Sequence, residues 1–211
     1  MSQNNYPESD MTLKNIVWCS HLDKRITRES SQGHRGLVVW LTGLSGSGKS
    51  TIAANIDNNL SKAGIQTIVL DGDNLRHGLC SDLGFSIADR NENVRRVGEV
   101  ARLFLEQGLV VVVALVSPIR EARDKVKQSF AESDFVEVHC NCEFSICRER
   151  DPKGLYAKAE KGKITEFTGV SSPYEAPLQA DLILNTSDET VTESVDRLMQ
   201  LIVQKVKFEK S

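Results

Sequence analysis

An α/β fold, a parallel sheet with helices on both faces, is the architecture this sequence predicts, and three features predict it. Short runs dense in Val, Ile and Leu alternate with segments whose apolar residues recur at helical spacing, as in a sheet covered on both sides. A glycine-rich stretch, Gly43-Leu44-Ser45-Gly46-Ser47-Gly48-Lys49-Ser50, stands between one such run and one such helical segment. A long stretch, residues 148–177, carries charges, glycines and prolines without either period.

Taken in chain order, residues 1–14 are polar and read as a flexible leader ahead of a single domain over residues 15–211. Residues 15–18 are short and apolar enough to dock on the domain surface. Strands are expected at Leu37–Thr42, 67–70, 109–116, 135–139 and 182–184, each too apolar to have a solvent face. A helix should follow the glycine-rich stretch over residues 51–63. Val94, Val97, Ala101 and Phe104 mark another, stopped by Gly108, and Val191, Val195, Leu198 and Ile202 mark a last one. An aperiodic loop as long as 148–177 is usually functional or mobile, so it is the candidate lid.

Composition narrows the function. The 211 residues carry a formal charge of -3, so a long nucleic acid is not the expected partner, whereas a small anion in a local basic pocket is compatible. No apolar run approaches the roughly 18 residues of a membrane helix, and the first residues lack a signal peptide's basic and apolar regions, so a cytoplasmic protein away from membranes is expected. The five cysteines are odd in number, and Cys140-Asn141-Cys142 lacks the spacing and the second pair of a zinc site. They read as structural thiols, and the dispersed histidines carry no catalytic assignment.

The stretch Gly43 to Ser50 matches G-x-x-x-x-G-K-[ST] at every fixed position and sits between strand and helix, the context the motif requires. Its glycines let backbone N–H groups converge on phosphate oxygens while the helix start adds its positive dipole end. ATP is therefore expected across Gly43, Leu44, Ser45, Gly46, Ser47, Gly48, Lys49, Ser50 and Thr51. Lys49 neutralises the β and γ phosphates in that arrangement, and Ser50 is the Mg²⁺ ligand. The fold class becomes a P-loop NTPase-type sheet with a mobile lid. Kinases, GTPases and ATPases share the motif, so the phosphate acceptor must be read elsewhere.

P-loop proteins commonly place an acid at the end of a further core strand to help hold Mg²⁺. The run 109–116 ends in Ser117-Pro118 with no acid, whereas 67–70 leads into Asp71-Gly72-Asp73-Asn74. Strand carboxyl ends line the ligand crevice of an open parallel sheet, so Asp71 and Asp73 are expected to face the phosphates. One would bias the acceptor hydroxyl toward deprotonation and the other organise the metal shell, in either order. A plain Asp-Gly turn explains Gly72 but not the second acid, Asn74 and Arg76.

Several ordered segments carry a resemblance to the adenylylsulfate kinase family: Asn15-Ile16-Val17-Trp18, Gly33-His34-Arg35-Gly36, the phosphate loop, Asp71 through Leu79, and Asp82 through Ser86. Asp89 through Arg96, Arg150 through Tyr156, Phe167-Thr168-Gly169 and Pro173 through Pro177 extend it, covering about Asn15 to Leu201. The resemblance implies a P-loop kinase core, usually dimeric, that moves the ATP γ-phosphoryl to the 3′-hydroxyl of adenylyl sulfate. Its products are ADP and 3′-phosphoadenylyl sulfate, in sulfate assimilation. By the same resemblance Arg76, Arg90 and Asn93 take the acceptor's sulfate and phosphate side, Phe85 and Phe167 stack on its adenine, and Lys153 approaches the anions. Arginine's planar fork suits the several oxygens of a sulfuric-phosphoric anhydride.

Ser117 falls where the family is described with a phosphoserine. Val116-Ser117-Pro118-Ile119-Arg120 supplies no adjacent base, and direct in-line transfer needs only positioning, Mg²⁺ and charge stabilisation. Ser117 is thus expected in the active site in a positioning role. Plainer readings stand beside these: Asp89 with Glu92 resembles a helix capping box, Phe85 could be core, and Arg95 and Arg96 could be a solvated helix face. The sequence departs from the family at Cys19, where histidine is frequent, and at Ala157 and Glu160, where basic residues are frequent. A GTPase would carry an Asn/Thr-Lys-x-Asp motif after a late strand, but Leu184-Asn185-Thr186-Ser187-Asp188 has no lysine.

Overall fold

The computed structural model describes residues 24–207, so the expectations for the leader, for residues 15–18 and for Cys19 lie outside the described residues. Five parallel strands, β1 (Leu37–Thr42), β2 (Thr67–Asp71), β3 (Val110–Ala114), β4 (Phe135–Asn141) and β5 (Leu182–Asn185), pair in the order β2-β3-β1-β4-β5. Because β1 is central and the winding reverses beside it, the crevice at its carboxyl end is the expected ligand position.

Helices cover both faces, as β1 itself dictates: all six of its residues are buried, with successive side chains pointing to opposite sides. Leu37, Val39 and Leu41 pack with Ile52, Ile56 and Leu60 of α2 (Lys49–Lys62) and with Val195, Leu198 and Ile202 of α8 (Val191–Val206). Val38 and Trp40 pack on the other side with Val94, Val97 and Ala101 of α4 (Ile87–Leu105) and Val126 of α5 (Arg120–Gln128). Each fully buried Val, Leu or Ile among them contributes about 1.5–3 kcal/mol relative to exposure. The helix α1 (Arg25–Gln32), which no periodicity announces, is pinned by Arg25, whose guanidinium donates to Asp134 at 2.6 and 2.8 Å.

Three local expectations change. The strand expected over 109–116 is shorter, because the chain leaves the sheet after Ala114 and the Thr42 hydroxyl takes the Val116 carbonyl at 2.8 Å. Helix α4 starts earlier than an Asp89–Glu92 box would place it. Ser86 is its N-cap, its side chain accepting from the Asp89 backbone N–H at 3.1 Å, while Glu92 pairs with Arg95 and Arg96. Residues 148–177 are not devoid of helix: α6 (Phe144–Arg150) enters them and α7 (Leu155–Glu160) lies within. Asp151 builds α7 by accepting from the Leu155, Tyr156 and Ala157 backbone N–H groups at 2.7, 3.2 and 3.2 Å, a capping role that side-chain period cannot reveal. Glu160 pairs there with Arg148 at 2.6 Å.

Tyr156, Ala159 and Phe167 of this segment form a third buried cluster with Cys142 and Cys147, against Leu44 of the glycine-rich loop. Cys80, Cys140, Cys142 and Cys147 are free and buried, and burial pushes the Cys140 and Cys147 thiols up to about 12. They are inert packing groups, as expected. No helix among the described residues is long and apolar enough to cross a membrane.

Candidate functional site

The glycine-rich loop crosses the carboxyl end of β1 and runs into α2. Its shape admits no side chain at two points. A Cβ at Gly43 would lie 2.6 Å from the Cys140 carbonyl, and one at Gly46, where φ is 78°, would lie 2.8 Å from the Cys147 carbonyl. The loop is thus clamped on β4 and α6 with its backbone turned to the cavity. Lys49 is 8% exposed, and its ammonium donates to the Gly43 and Leu44 carbonyls at 2.9 and 2.7 Å. Burial lowers its pKa, for these acceptors are neutral and do not offset the desolvation of the charge.

The cavity above the loop has a volume of about 1160 Å³. A single-ligand cleft has roughly 300–1,000 Å³, so this one has room for two bound molecules. Ser45, Gly46, Gly48, Lys49, Ser50 and Thr51 form its middle, Asp71 and Asp73 one wall, and Leu115 to Pro118 another. Three of the loop's expected nucleotide contacts, Gly43, Leu44 and Ser47, are not part of the cavity lining: Gly43 packs on the Cys140 carbonyl, Leu44 on the third hydrophobic cluster, and Ser47 is fully buried.

The two acids do different things. Asp71 ends β2 and caps the short helix α3 (Gly72–Arg76): its Oδ1 accepts from the Asp73 N–H at 3.0 Å, and its Oδ2 accepts from the Ser50 hydroxyl at 2.6 Å. Asp73, more exposed, forms an ion pair with Lys153 reaching across from the far side. Ser50 and Asp71 therefore present two adjacent hard oxygen ligands beside the phosphate loop. That donor set suits Mg²⁺, which is usually held by one or two protein oxygens, substrate phosphates and water.

At one end lie the residues expected to hold an acceptor. Phe85 is 52% exposed, so it is not core, and the Arg76 guanidinium carbon stands 4.4 Å from its ring centroid with that of Arg90 at 5.5 Å. Arg76 donates to the Leu83 and Gly84 carbonyls at 3.1 and 2.8 Å, and Arg90 to those of Phe85 and Glu166 at 2.8 Å each. Desolvation lowers both pKa values, again because the partners are carbonyls. Asn93 is buried with its Oδ1 unpaired, and Phe167 meets Tyr156 edge-on at 5.0 Å; both line the cavity, as does Lys153.

Ser117 is buried in the loop after β3, lines the cavity, and accepts from the Trp40 indole N–H at 3.2 Å. Among the cavity residues to which the sequence assigns no role, three polar ones stand out. Thr168, 3% exposed with an unpaired Oγ1, sits inside the quoted Phe167-Thr168-Gly169 segment, so its signal was present. Arg150 and Thr186 also line the cavity, Thr186 just past β5 at the edge of the sheet away from β2, Arg150 donating to the Thr186 carbonyl at 2.6 Å and Thr186 to the Ser47 carbonyl at 3.0 Å. Thr186 carries no motif; only the fold brings it to the loop.

A parallel sheet in the order 2-3-1-4-5, a lysine-bearing phosphate loop after its central strand and a cavity with room for two molecules define a P-loop kinase. Comparison with known proteins makes the class specific. The family model for adenylylsulphate kinase matches residues 35–185. The adenylyl-sulfate kinase of Shewanella sp. (strain ANA-3) is 52% identical over 190 residues, 90% of this chain and 93% of that one. The probable adenylyl-sulfate kinase of Halalkalibacterium halodurans is 51% identical over 191 residues, 90% and 92% of the two chains. Among solved structures, the Mycobacterium tuberculosis APS kinase CysC in complex with AMPPNP and APS superposes with a TM-score of 0.77 at 48% identity, covering 80% of this chain and 98% of that one. The chain belongs to the adenylylsulfate kinase family.

Proposed function

We propose that the protein transfers the γ-phosphoryl of ATP to the 3′-hydroxyl of adenylyl sulfate, forming 3′-phosphoadenylyl sulfate and ADP as a step in sulfate assimilation. The observation that carries this reading is a cavity that spans the sheet's carboxyl end: the phosphate loop after central β1, Thr186 with Arg150 past edge strand β5, and Arg76 with Phe85 past edge strand β2, with Arg90, Asn93 and Phe167 also in its lining. Only a reaction between two bound molecules uses the whole span.

Each residue then has a task. The loop N–H groups and Lys49 hold the β and γ phosphates, and as charge moves toward the transferring group Lys49 neutralises it. Ser50 and Asp71 would hold Mg²⁺, which when bound would offset charge on the phosphates. Asp73 accepts the proton of the acceptor hydroxyl, and Lys153 leaves it to meet the incoming anions. Arg76 and Arg90 pair with the acceptor's anionic groups, Asn93 supplies a hydrogen-bond acceptor or donor, and Phe85 and Phe167 bracket its adenine. Ser117 positions the reacting groups without forming a bond to phosphorus: the partner of its hydroxyl among the described residues, the Trp40 indole, is a donor and cannot take its proton.

Residues 148–177 act as the lid that excludes water, a reading supported by the position of Lys153 and Phe167 on the cavity wall. A cytoplasmic location accords with the use of ATP, and the dimer usual in the family is the proposed assembly, measurable by sedimentation. The decisive experiment is a coupled assay for ADP with Mg²⁺, ATP and adenylyl sulfate, run beside gluconate and nucleoside monophosphates as acceptors. Turnover confined to adenylyl sulfate is expected. A faster reaction on another acceptor would overturn the assignment.

A further inference from the structure

Three segments distant in sequence meet at one side chain beneath the cavity. Arg123, on the inner face of α5, is 2% exposed. Its Nε donates to Glu137 Oε1 on β4 at 2.7 Å, its Nη1 to the Ser117 carbonyl at 2.6 Å and its Nη2 to the Glu175 carbonyl at 2.7 Å. The guanidinium carbon also stands 5.9 Å from the Tyr174 ring centroid.

Both carbonyls belong to chain that bears on the cavity. Ser117 lines it with φ at 38°, a left-handed conformation that a non-glycine residue keeps only when its surroundings impose it. Glu175 lies where the 148–177 segment rejoins the sheet, and this root is fastened to the same loop. Its N–H donates to the Pro118 carbonyl at 2.9 Å, its carboxylate accepts from the Arg120 N–H at 2.7 Å, and Arg120 donates to the Ala176 carbonyl at 3.0 Å. Tyr174 beside it stacks on His139 with centroids 6.0 Å apart, and its hydroxyl lies 3.1 Å from that of Thr42, the residue before the phosphate loop.

A buried ion pair alone is a poor reason for an arginine, because apolar side chains of similar volume often serve the fold as well. What they cannot do is bind two main-chain carbonyls at set positions, and the rigid fork of a guanidinium can. Glu137 completes the arrangement by fixing the third side of the fork. We infer that Arg123 is a positioning residue for phosphoryl transfer: it holds Ser117 in its left-handed conformation and ties the carboxyl-terminal root of the lid to the same loop. Lid and reacting groups thereby close in one register. The inference rests on the kinase reading above.

The test removes the ties while sparing the fold. The double variant Arg123→Met/Glu137→Leu deletes both charges together, so neither is left buried alone. It is expected to melt as a folded protein and to bind ATP with unchanged affinity by equilibrium dialysis. Its kcat/KM for adenylyl sulfate should fall by about 10²-fold, the scale set by a misplacement of roughly 1 Å. The amides of Tyr174, Glu175, Ala176 and Leu178 should exchange faster. A folded double variant with unchanged kcat/KM overturns the inference, and so does an equal loss of ATP affinity, which marks general damage. If the double variant does not fold, Arg123→Lys decides: it keeps a cation against Glu137 but cannot span both carbonyls, so the same split is expected and wild-type kinetics overturn the idea. Should the wild-type enzyme prefer another acceptor, the variants are assayed on that acceptor. The exchange measurement is independent of acceptor identity, so failure of the kinase assignment and failure of the Arg123 inference are told apart.

Discussion

Substituting Asp71 and Asp73 by asparagine one at a time separates metal chemistry from proton chemistry. Asp71 is both a helix cap, through its bond from the Asp73 N–H at 3.0 Å, and the partner of Ser50 at 2.6 Å. Asparagine caps a helix about as well as aspartate, so Asp71→Asn should cost no more than about 0.5 kcal/mol of stability, whereas Asp71→Ala forfeits the cap and costs about 1 kcal/mol. The charge is a different matter. Removing one group that stabilises developing charge lowers kcat by about 10²–10³-fold, equivalent to about 2.7–4 kcal/mol of barrier. Because the lost charge belongs to the Ser50 side of the site, Asp71→Asn should also raise the Mg²⁺ concentration needed for half-maximal rate. Asp73→Asn loses an ion pair whose members are more than half exposed, worth about 0–1 kcal/mol. It should lower kcat by a factor of about 10²–10⁴, the span of general base catalysis, with no change in the Mg²⁺ requirement. Initial rates across a Mg²⁺ titration at saturating ATP and adenylyl sulfate, with melting temperatures alongside, provide the readout. Two variants with the same Mg²⁺ profile would refute the division of labour, and wild-type turnover in both would refute the placement of the chemistry.

Lys49→Ala should leave the fold intact and reduce kcat by at least about 10²-fold, since its ammonium is the charge proposed to neutralise the transferring group; normal kcat with normal ATP affinity contradicts this. Amides of residues 148–177 should exchange more slowly once ATP analogue and adenylyl sulfate are bound, and unchanged exchange in a saturated complex argues against a lid. Ser117→Ala should retain substantial activity, with inversion at phosphorus when chiral γ-phosphate ATP is used. Net retention together with an inactive alanine variant would establish two successive displacements instead.

Much of this architecture is legible in the sequence wherever one residue type has one physical use. Buried parallel strands need unbroken apolar runs, so β1 could be placed to the residue; the phosphate loop could be placed because its glycines and lysine are not interchangeable with anything else. Legibility fails where the partner is remote. Arg123 in Arg120-Glu121-Ala122-Arg123-Asp124 reads as an ordinary solvated helix face, and only the approach of Glu137 from β4 and of the 117 and 175 carbonyls makes it a buried hub. Helix α7 escapes because its six residues are too few to show a period and its start is built by the side chain of Asp151. The resemblance of Asp89 and Glu92 to a capping box misleads because Ser86 is the residue that caps α4, its side chain accepting from the Asp89 N–H, so Asp89 serves one turn inward.

The elements that carry the cations divide the site into anchored and moving parts. Lys49, Arg76 and Arg90 are desolvated and donate to main-chain carbonyls, which satisfy their hydrogen-bonding geometry without cancelling their charge. Such a cation gains when an anion arrives, because the cost of burying it has already been met by folding and Coulomb attraction is screened less there than at the surface. All three sit on the phosphate loop or on α3 and α4, which are anchored to the sheet. Lys153 is the opposite case, an exposed ammonium on the 148–177 segment already neutralised by Asp73. Exchanging that partner for a substrate oxygen costs little, as exposed pairs contribute little, and the exchange frees Asp73 as the lysine turns to the ligand. On the proposed reading the anchored cations set affinity for the two polyanions, while the Lys153–Asp73 pair couples arrival of the acceptor to release of the carboxylate proposed as its base.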